Sequence, residues 1–252
     1  FNAQWNINGA LHYTHGKGYY EQYKASAKFK SYGLPNFTDT LGNTVKKSDI
    51  VRQKQLQNDF FGGVVALNYT SKKVNASLGG AVNNYMGDHF GNVLWVRTYD
   101  QSIPKDYEYY RNHGNKFEAN TYLKADWEIM EGFKIFGDIQ YRYVNYQLNG
   151  INDEDLDSIP VHETFHFLNP KAGISYTKNG HNAYFNFAIT NREPNRKNYT
   201  EAGPNDVPQA ERLYDYEAGY NFSHRRFSVG ANLYLMDYDN QLVLTGKYSD
   251  TG

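Results

Sequence analysis

FEANTYLKADWEI, residues 117–129, alternates without a break: Phe117, Ala119, Thr121, Leu123, Ala125, Trp127 and Ile129 against Glu118, Asn120, Tyr122, Lys124, Asp126 and Glu128. A period of two places one set on each face of a β-strand. MEG (130–132) then forms a short turn, and FKIFGDIQYRY (133–143) resumes the pattern. Phe133, Ile135, Gly137, Ile139, Tyr141 and Tyr143 now oppose Lys134, Phe136, Asp138, Gln140 and Arg142. From Phe117 to Trp127 is roughly 33 Å along a strand, which projects to roughly 24 Å at a 45° tilt. That matches the apolar band of an outer-membrane barrel, and both ends of the stripe are aromatic, as an interfacial girdle requires.

The same signal recurs along the chain. Residues 3–13 alternate Ala3, Trp5, Ile7, Gly9, Leu11 and Tyr13 against Gln4, Asn6, Asn8, Ala10 and His12. Further runs lie at 60–70, 74–85, 165–177, 181–190, 213–222 and 227–238, which makes nine strands, with Leu242–Thr245 opening a tenth. The connections alternate in length. Long loops are expected at 14–59, 86–115, 146–164 and 191–212, and short turns at 71–73, 130–132, 178–180 and 223–226. Lys178-Asn179-Gly180 carries the Asn-Gly hairpin signal. This is the plan of an up-and-down barrel with all its long loops at one end. The physical reason is that hydrocarbon offers no partner to a backbone N–H or C=O, so a spanning sheet must satisfy its own. The fold expected is therefore all-β: an antiparallel up-and-down transmembrane β-barrel, here a partial barrel of about nine to ten strands, with residues 1–252 forming part of one barrel domain. A passive porin or adhesin barrel, and a soluble β-sandwich that binds glycans, are the alternatives.

Composition fits. The chain has 26 Lys+Arg, 27 Asp+Glu and a net charge of −1, which excludes a globally basic nucleic-acid binder. It has no Cys, so neither disulfides nor Cys-ligated metal sites are available. Its 24 Tyr and 15 Phe favour strands.

Catalytic and metal motifs fail on context. HETFH (162–166) matches the zinc-peptidase pattern, but Pro160 and Pro170 bracket it and a strand follows, so no helix can put both His and the Glu to work. DEDLD (153–157) starts like a calcium loop, yet Ser158 stands where Gly is needed and Thr164 where Glu is needed. It reads as a solvated acidic loop. His12, His15, His89, His113, His181 and His224 show no ligand spacing, no nucleophile elbow or phosphate loop is present, and the Asn-x-Ser/Thr matches at Asn36, Asn68, Asn75, Asn198 and Asn221 are chance in an Asn-rich chain. No enzyme, cofactor or metal site is expected. What remains is a set of aromatic and cationic residues assigned to the long loops: Tyr19, Tyr20, Tyr23, His89, Trp95, Arg97, Tyr109, Tyr110 and Arg111. Rings and cations at a mouth can capture an anionic or ring-bearing ligand by stacking and charge.

Several segments resemble TonB-dependent outer-membrane receptors: HYTHGKGYYEQY (12–23), YMGDHFG (85–91) with Trp95, NPKAG (169–173), REPNR (192–196), ERLYDYEAGY (211–220) and 232–246. The resemblance implies a 22-stranded barrel with an N-terminal plug, in the outer membrane of a Gram-negative bacterium, surrounded by its lipid. It implies capture of a scarce nutrient, a ferric siderophore or similar metal chelate, and import driven by the TonB energy-transducing complex acting through a plug. The plug and the closing strands are not in this sequence. Asn191-Arg192-Glu193-Pro194 stands where haem receptors carry Phe-Arg-Ala-Pro, which speaks against haem. The family has no fixed catalytic residues, so none carries over.

Overall fold

A computed structural model describes residues 3–153, 156–200, 202, 207–241 and 243. The alternating pattern folds as expected into one antiparallel sheet. Its strands are β1 (Trp5–Lys28), β4 (Lys47–Thr70), β5 (Val74–Val96), β6 (Tyr107–Met130), β7 (Phe133–Gly150), β8 (Val161–Lys178), β9 (His181–Arg192), β10 (Glu211–His224) and β11 (Phe227–Asp239). Each pairs with the next in chain order. A small ribbon of β2 (Phe37–Thr38) and β3 (Thr44–Val45) lies between β1 and β4, and one short helix, α1 (Arg196–Thr200), lies between β9 and β10. The tenth strand expected at Leu242–Thr245 falls, apart from Val243, outside the described residues.

The turns at one end are tight. At Asn179-Gly180 both residues have positive φ, 53° and 82°. That is the geometry of a type I′ hairpin, and it matches the right-handed twist of the flanking strands.

Register assigns every side chain to a face. Leu78, Leu123 and Ile139 lie in one row. They share a face with Trp5, Leu11, Leu67, Trp127, Ile174, Phe185 and Leu233. This face is uncovered: Trp5 is 42% exposed, Leu123 51% and Ile139 46%. A sandwich would have buried these three between two sheets, and among the described residues no second sheet packs on them. The opposite face carries Lys124, Asp126, Asp138, Gln140 and Arg142. Loop residues fold onto it too, with Tyr199 of α1 lying 5.7 Å from Tyr146. It is the lumen face. An aromatic row bounds the apolar belt below at Trp5, Tyr69, Trp127 and Tyr176, and another bounds it above at Tyr13, Phe61, Phe117 and Tyr143.

The strands are taller than the alternation indicates. The expected loop 14–59 shrinks to 29–46, 86–115 to 97–106, 146–164 to 151–160, and 191–212 to 193–210. Above the upper girdle the outer face meets water, so apolar residues stop while backbone pairing continues. There Asp59 accepts from Tyr13 Oη at 2.7 Å and meets His15 Nδ1 at 2.8 Å. Asp88 likewise meets His113 Nδ1 at 2.6 Å and Arg111 Nη1 at 3.1 Å.

The ladder between β8 and β9 begins only at Lys171↔Ala188. Pro170, one residue earlier, has no N–H to donate. Asn191 covers the gap, its backbone N donating to Asn169 Oδ1 at 3.0 Å and its side chain to the Leu168 carbonyl at 3.1 Å.

Leu123→Arg places a cation mid-belt on the outer face, where a bilayer penalises it by about 2–4 kcal/mol. The expected result is a urea midpoint in lipid vesicles lowered accordingly, whereas Lys124→Arg, one residue away on the lumen face, leaves the midpoint within error.

Candidate functional site

The upper third of the lumen face is built in two layers. The first is a small apolar core that no alternation marks. Phe29 and Tyr32, in the 3-10 turn after β1, pack with Leu34, Ile50, Val93, Tyr109 and Tyr110. Ring pairs knit it together: Phe29 with Tyr99 at 5.1 Å, Tyr32 with Tyr109 at 4.9 Å, and Tyr109 with Tyr110 at 5.0 Å. Offset and edge-on aromatic pairs of this kind add about 0.5–1.5 kcal/mol each beyond the area they bury. They fix the connection 29–46 against β4, β5 and β6.

Beneath this core lies a cavity of about 380 Å³ lined by Gly18, Tyr19, Tyr20, Lys54, Gln55, Leu56, His89, Tyr110, Asp153 and Arg196. Tyr20, Lys54, His89 and Tyr110 come from four successive strands, brought side by side by the register Tyr20↔Lys54, Leu56↔His89 and Gly91↔Tyr110. Loops close it. Asp153 reaches Lys54 Nζ as an ion pair. The Arg196 guanidinium donates from Nε and Nη2 to Asn112 Oδ1 at 3.3 and 3.0 Å. His89 lies above the lipid-facing belt. Burial pulls its pKa down to about 4, and the Arg196 charge adds to this. It is therefore neutral at pH 7, and the cations facing the cavity are Lys54 and Arg196.

A second charged cluster sits lower on the same face. Glu193, the residue after β9, bridges Lys116 of β6 and Arg142 of β7 at 2.5 and 2.7 Å, and Arg142 also meets Glu118 at 2.9 Å. Burial pushes the Glu193 carboxyl up. Hydrogen bonding from the Lys116 ammonium and the pull of Arg142 outweigh that and hold it below its ordinary range. Tyr199 stacks on Tyr146 and packs against the pair Leu148 and Ile159. Residues 193–200 thus form a strap laid along the lumen wall.

The residues expected at the site divide. Tyr19, Tyr20, His89 and Tyr110 meet at the cavity. Tyr109 belongs to the apolar core behind it. The other four point elsewhere. Tyr23 donates to Asp49, which Arg97 Nη1 also meets at 2.9 Å, on an exposed edge. Arg111 lies over the Phe90 ring at 4.1 Å and pairs with Glu108 at 2.6 Å, on the outer face of the register. Trp95 is 46% exposed near the top of β5. Their assignment to loops needs correcting: all but Arg97 lie on strands, because pairing continues past the belt.

Lys54, Asp153 and Arg196 escape sequence reading. Lys54 sits within what reads as a loop, Asp153 in an acidic run, and Arg196 in a segment with no period. Register alone carries Lys54 onto the lumen face, in line with Leu56, Asn58 and Phe60. HETFH is part of β8, with Glu163 on the opposite face from His162 and His166, and His166 bonds to Tyr141 Oη at 2.7 Å. Among the described residues no group of three His, Asp or Glu could hold a metal ion. Glu154 and Asp155 of the acidic run are outside the described residues.

A tall antiparallel sheet, apolar outside, polar inside, with tight turns at one end and a ligand-sized cavity under loops at the other, defines the wall of an outer-membrane barrel. Residues 1–252 match the family model for the TonB dependent receptor-like β-barrel, and the chain belongs to that family. Solved structures agree on the fold. The copper transporter OprC superposes with a TM-score of 0.67 over 93% of this chain at 10% identity. The ferric-catecholate import receptor Fiu of E. coli K12, in its open form, superposes at 0.62 over 95% at 14% identity. The ferric yersiniabactin uptake receptor FyuA of Yersinia pestis does so at 0.55 over 93% at 13% identity. This chain spans 36%, 39% and 33% of the length of those three chains. No curated protein sequence matches it.

Glu193 yields a pH prediction. A carboxyl depressed in the folded state stabilises above its unfolded pKa of about 4.5, and that contribution is lost as pH falls through the lower folded value. A nitroxide on Lys197→Cys should report a docked strap from pH 8 down to 5 and a mobile one only below the ordinary carboxylate range. Glu193→Gln should mobilise it at pH 7.

Proposed function

We propose that this chain is the wall of an active transporter in the outer membrane of a Gram-negative bacterium. Further strands close the barrel, a plug fills it, and the TonB complex acts on that plug. The cargo is a scarce nutrient in the form of an anionic, ring-bearing metal chelate of the ferric siderophore type. The observation that carries the reading is the cavity at the mouth. It has the volume of a small-molecule site, two cations in Lys54 and Arg196, and two phenol rings in Tyr20 and Tyr110, while the ring of the adjacent lining residue Tyr19 is on the outer face.

The chemistry is binding without covalent change. Lys54 and Arg196 supply charge-assisted hydrogen bonds to an anion, and the phenols supply stacking faces and hydroxyls. Neutral His89 offers one donor and one acceptor without adding charge. Cargo released from the cavity moves down a lumen face whose charges are mutually paired at Lys116, Glu118, Arg142 and Glu193, so no single strong site arrests it. Copper ions and haem are less well served, because the cavity presents neither a soft ligand nor a clustered His set.

Lys54→Gln combined with Arg196→Gln in the full-length receptor should reduce uptake of a radiolabelled ferric tris-catechol chelate by about ten- to a hundredfold, as the loss of charge-assisted hydrogen bonds implies. The amount of folded barrel should stay unchanged. Uptake in the unaltered receptor should also stop when the proton gradient is collapsed; continued uptake would mark a passive pore instead.

A further inference from the structure

Two groups of lumen cations already hold carboxylates that connections bring to them. Glu193 of the strap sits on Lys116 and Arg142. At the cavity Asp153 sits on Lys54, whose side chain is only 9% exposed. Asp153 is not part of a strand. It belongs to residues 151–160, which join β7 to β8 and are anchored firmly at their base. There Ile151 N donates to the Arg111 carbonyl at 2.7 Å and Ile159 N to the Gly150 carbonyl at 2.9 Å, while Ile159 is buried with Tyr146 and Leu148. The far part of the segment is held differently. Leu156 packs against the apolar core of Phe29 and Tyr32, Asn152 donates from its backbone N to the Asp157 carbonyl at 2.8 Å and from its side chain to the Thr200 carbonyl at 3.5 Å, and the Asp153 carboxylate reaches across the cavity to β4.

A carboxylate held at a buried ammonium is chemically what an acidic ligand would bring to the same place. Where Glu118 and Glu193 both approach Lys116, Arg142 supplies a second cation; at Lys54 a second carboxylate would be repelled by that of Asp153. Lys54 cannot be left unpaired there without a large desolvation cost. Binding of an acid and release of Asp153 are therefore one exchange, in which Lys54 keeps a counter-ion throughout.

We infer that Asp153 is a resident counter-ion that an acidic, ring-bearing ligand displaces from Lys54, so that filling the cavity loosens the segment at Asn152 and Asp153 while Ile151 and Ile159 stay fixed. This rests on the reading of the cavity as the ligand site. It adds a ligand feature, an acid group directed at Lys54 with its ring between Tyr20 and Tyr110, and a signal, a loop whose freedom reports occupancy. No covalent bond forms or breaks.

The test uses the full-length receptor in detergent micelles, with 2,3-dihydroxybenzoate as the probe and 2,3-dihydroxybenzamide as its uncharged counterpart. Calorimetry reads binding, and hydrogen exchange reads the amide of Asn152. The acid should bind and speed Asn152 exchange several-fold, leaving Ile159 protected, and the amide should do neither. Asp153→Asn should speed Asn152 exchange without any probe and bind the acid about tenfold more tightly, since the Asp153 carboxylate no longer competes for Lys54. Lys54→Gln should lose binding of the acid. The inference is overturned if the acid binds while Asn152 stays protected, if Asp153→Asn binds it no more tightly, or if neither protein binds it. Energised uptake of the ferric chelate is scored separately: its failure with the exchange result intact would remove the transport reading and leave the displacement standing.

Discussion

Everything in this structure follows from a rule about backbone hydrogen bonds. In hydrocarbon an unpaired N–H or C=O costs several kcal/mol, so a strand that crosses a bilayer must be paired along its length. The sheet obeys this across the belt, from Trp5↔Tyr69 through Leu78↔Leu123 and Leu123↔Ile139 to Ala218↔Leu233, except between β8 and β9 above Lys171, where Asn191 supplies backbone and side-chain bonds instead. Register shifts lie toward strand ends, at Lys24/Ala27, Val51/Arg52, Gly91/Asn92 and Glu128/Met130. Once the backbone is satisfied, the side chains divide the labour. The outer set can be as oily as lipid, and the inner set can be charged.

That division also places the functional groups. Because pairing continues above the lipid, the strands rise as a rigid wall, and Tyr20, Lys54, His89 and Tyr110 are fixed on it by register rather than by loop conformation. A site held on strands is better defined than one held on loops. The loops then do something different. Residues 29–46 brace the wall through Phe29 and Tyr32. Residues 151–160 and 193–200 bring Asp153, Glu193 and Arg196 to charges that the wall presents. The wall is the scaffold, and the connections carry the charges that meet it.

How far the sequence was legible depends on what each residue faces. Between the two girdles alternation is enforced by lipid on one side and water on the other, so Leu123 and Lys124, or Ile139 and Asp138, announce their faces. The strands are readable there, and the hairpin at Asn179-Gly180, below the lower girdle, is readable from its turn residues. Above the upper girdle water touches both faces, the period-two signal vanishes, and His15, Lys17 and Tyr19 look like loop although they pair with Asp59, Gln57 and Gln55. This is why all nine candidate ligand residues read as loop although eight lie on strands, and why only four of them line the cavity. Tyr and His were noticed because their chemistry is conspicuous. Lys54 and Asp153, two ordinary charges far apart in sequence, were not, since nothing local says that they touch.

The central claim is that the apolar stripe faces lipid and the polar stripe a hydrated lumen. It is tested most directly by spin labels placed singly at Leu123 and Lys124 in the full-length receptor, reconstituted in bilayers, with relaxation measured in oxygen and in a water-soluble nickel chelate. The account expects the label at 123 to be relaxed strongly by oxygen and hardly by nickel, and the label at 124 to show the reverse. Equal shielding of both labels from oxygen and nickel, as in the dry interior of a sandwich, would contradict it.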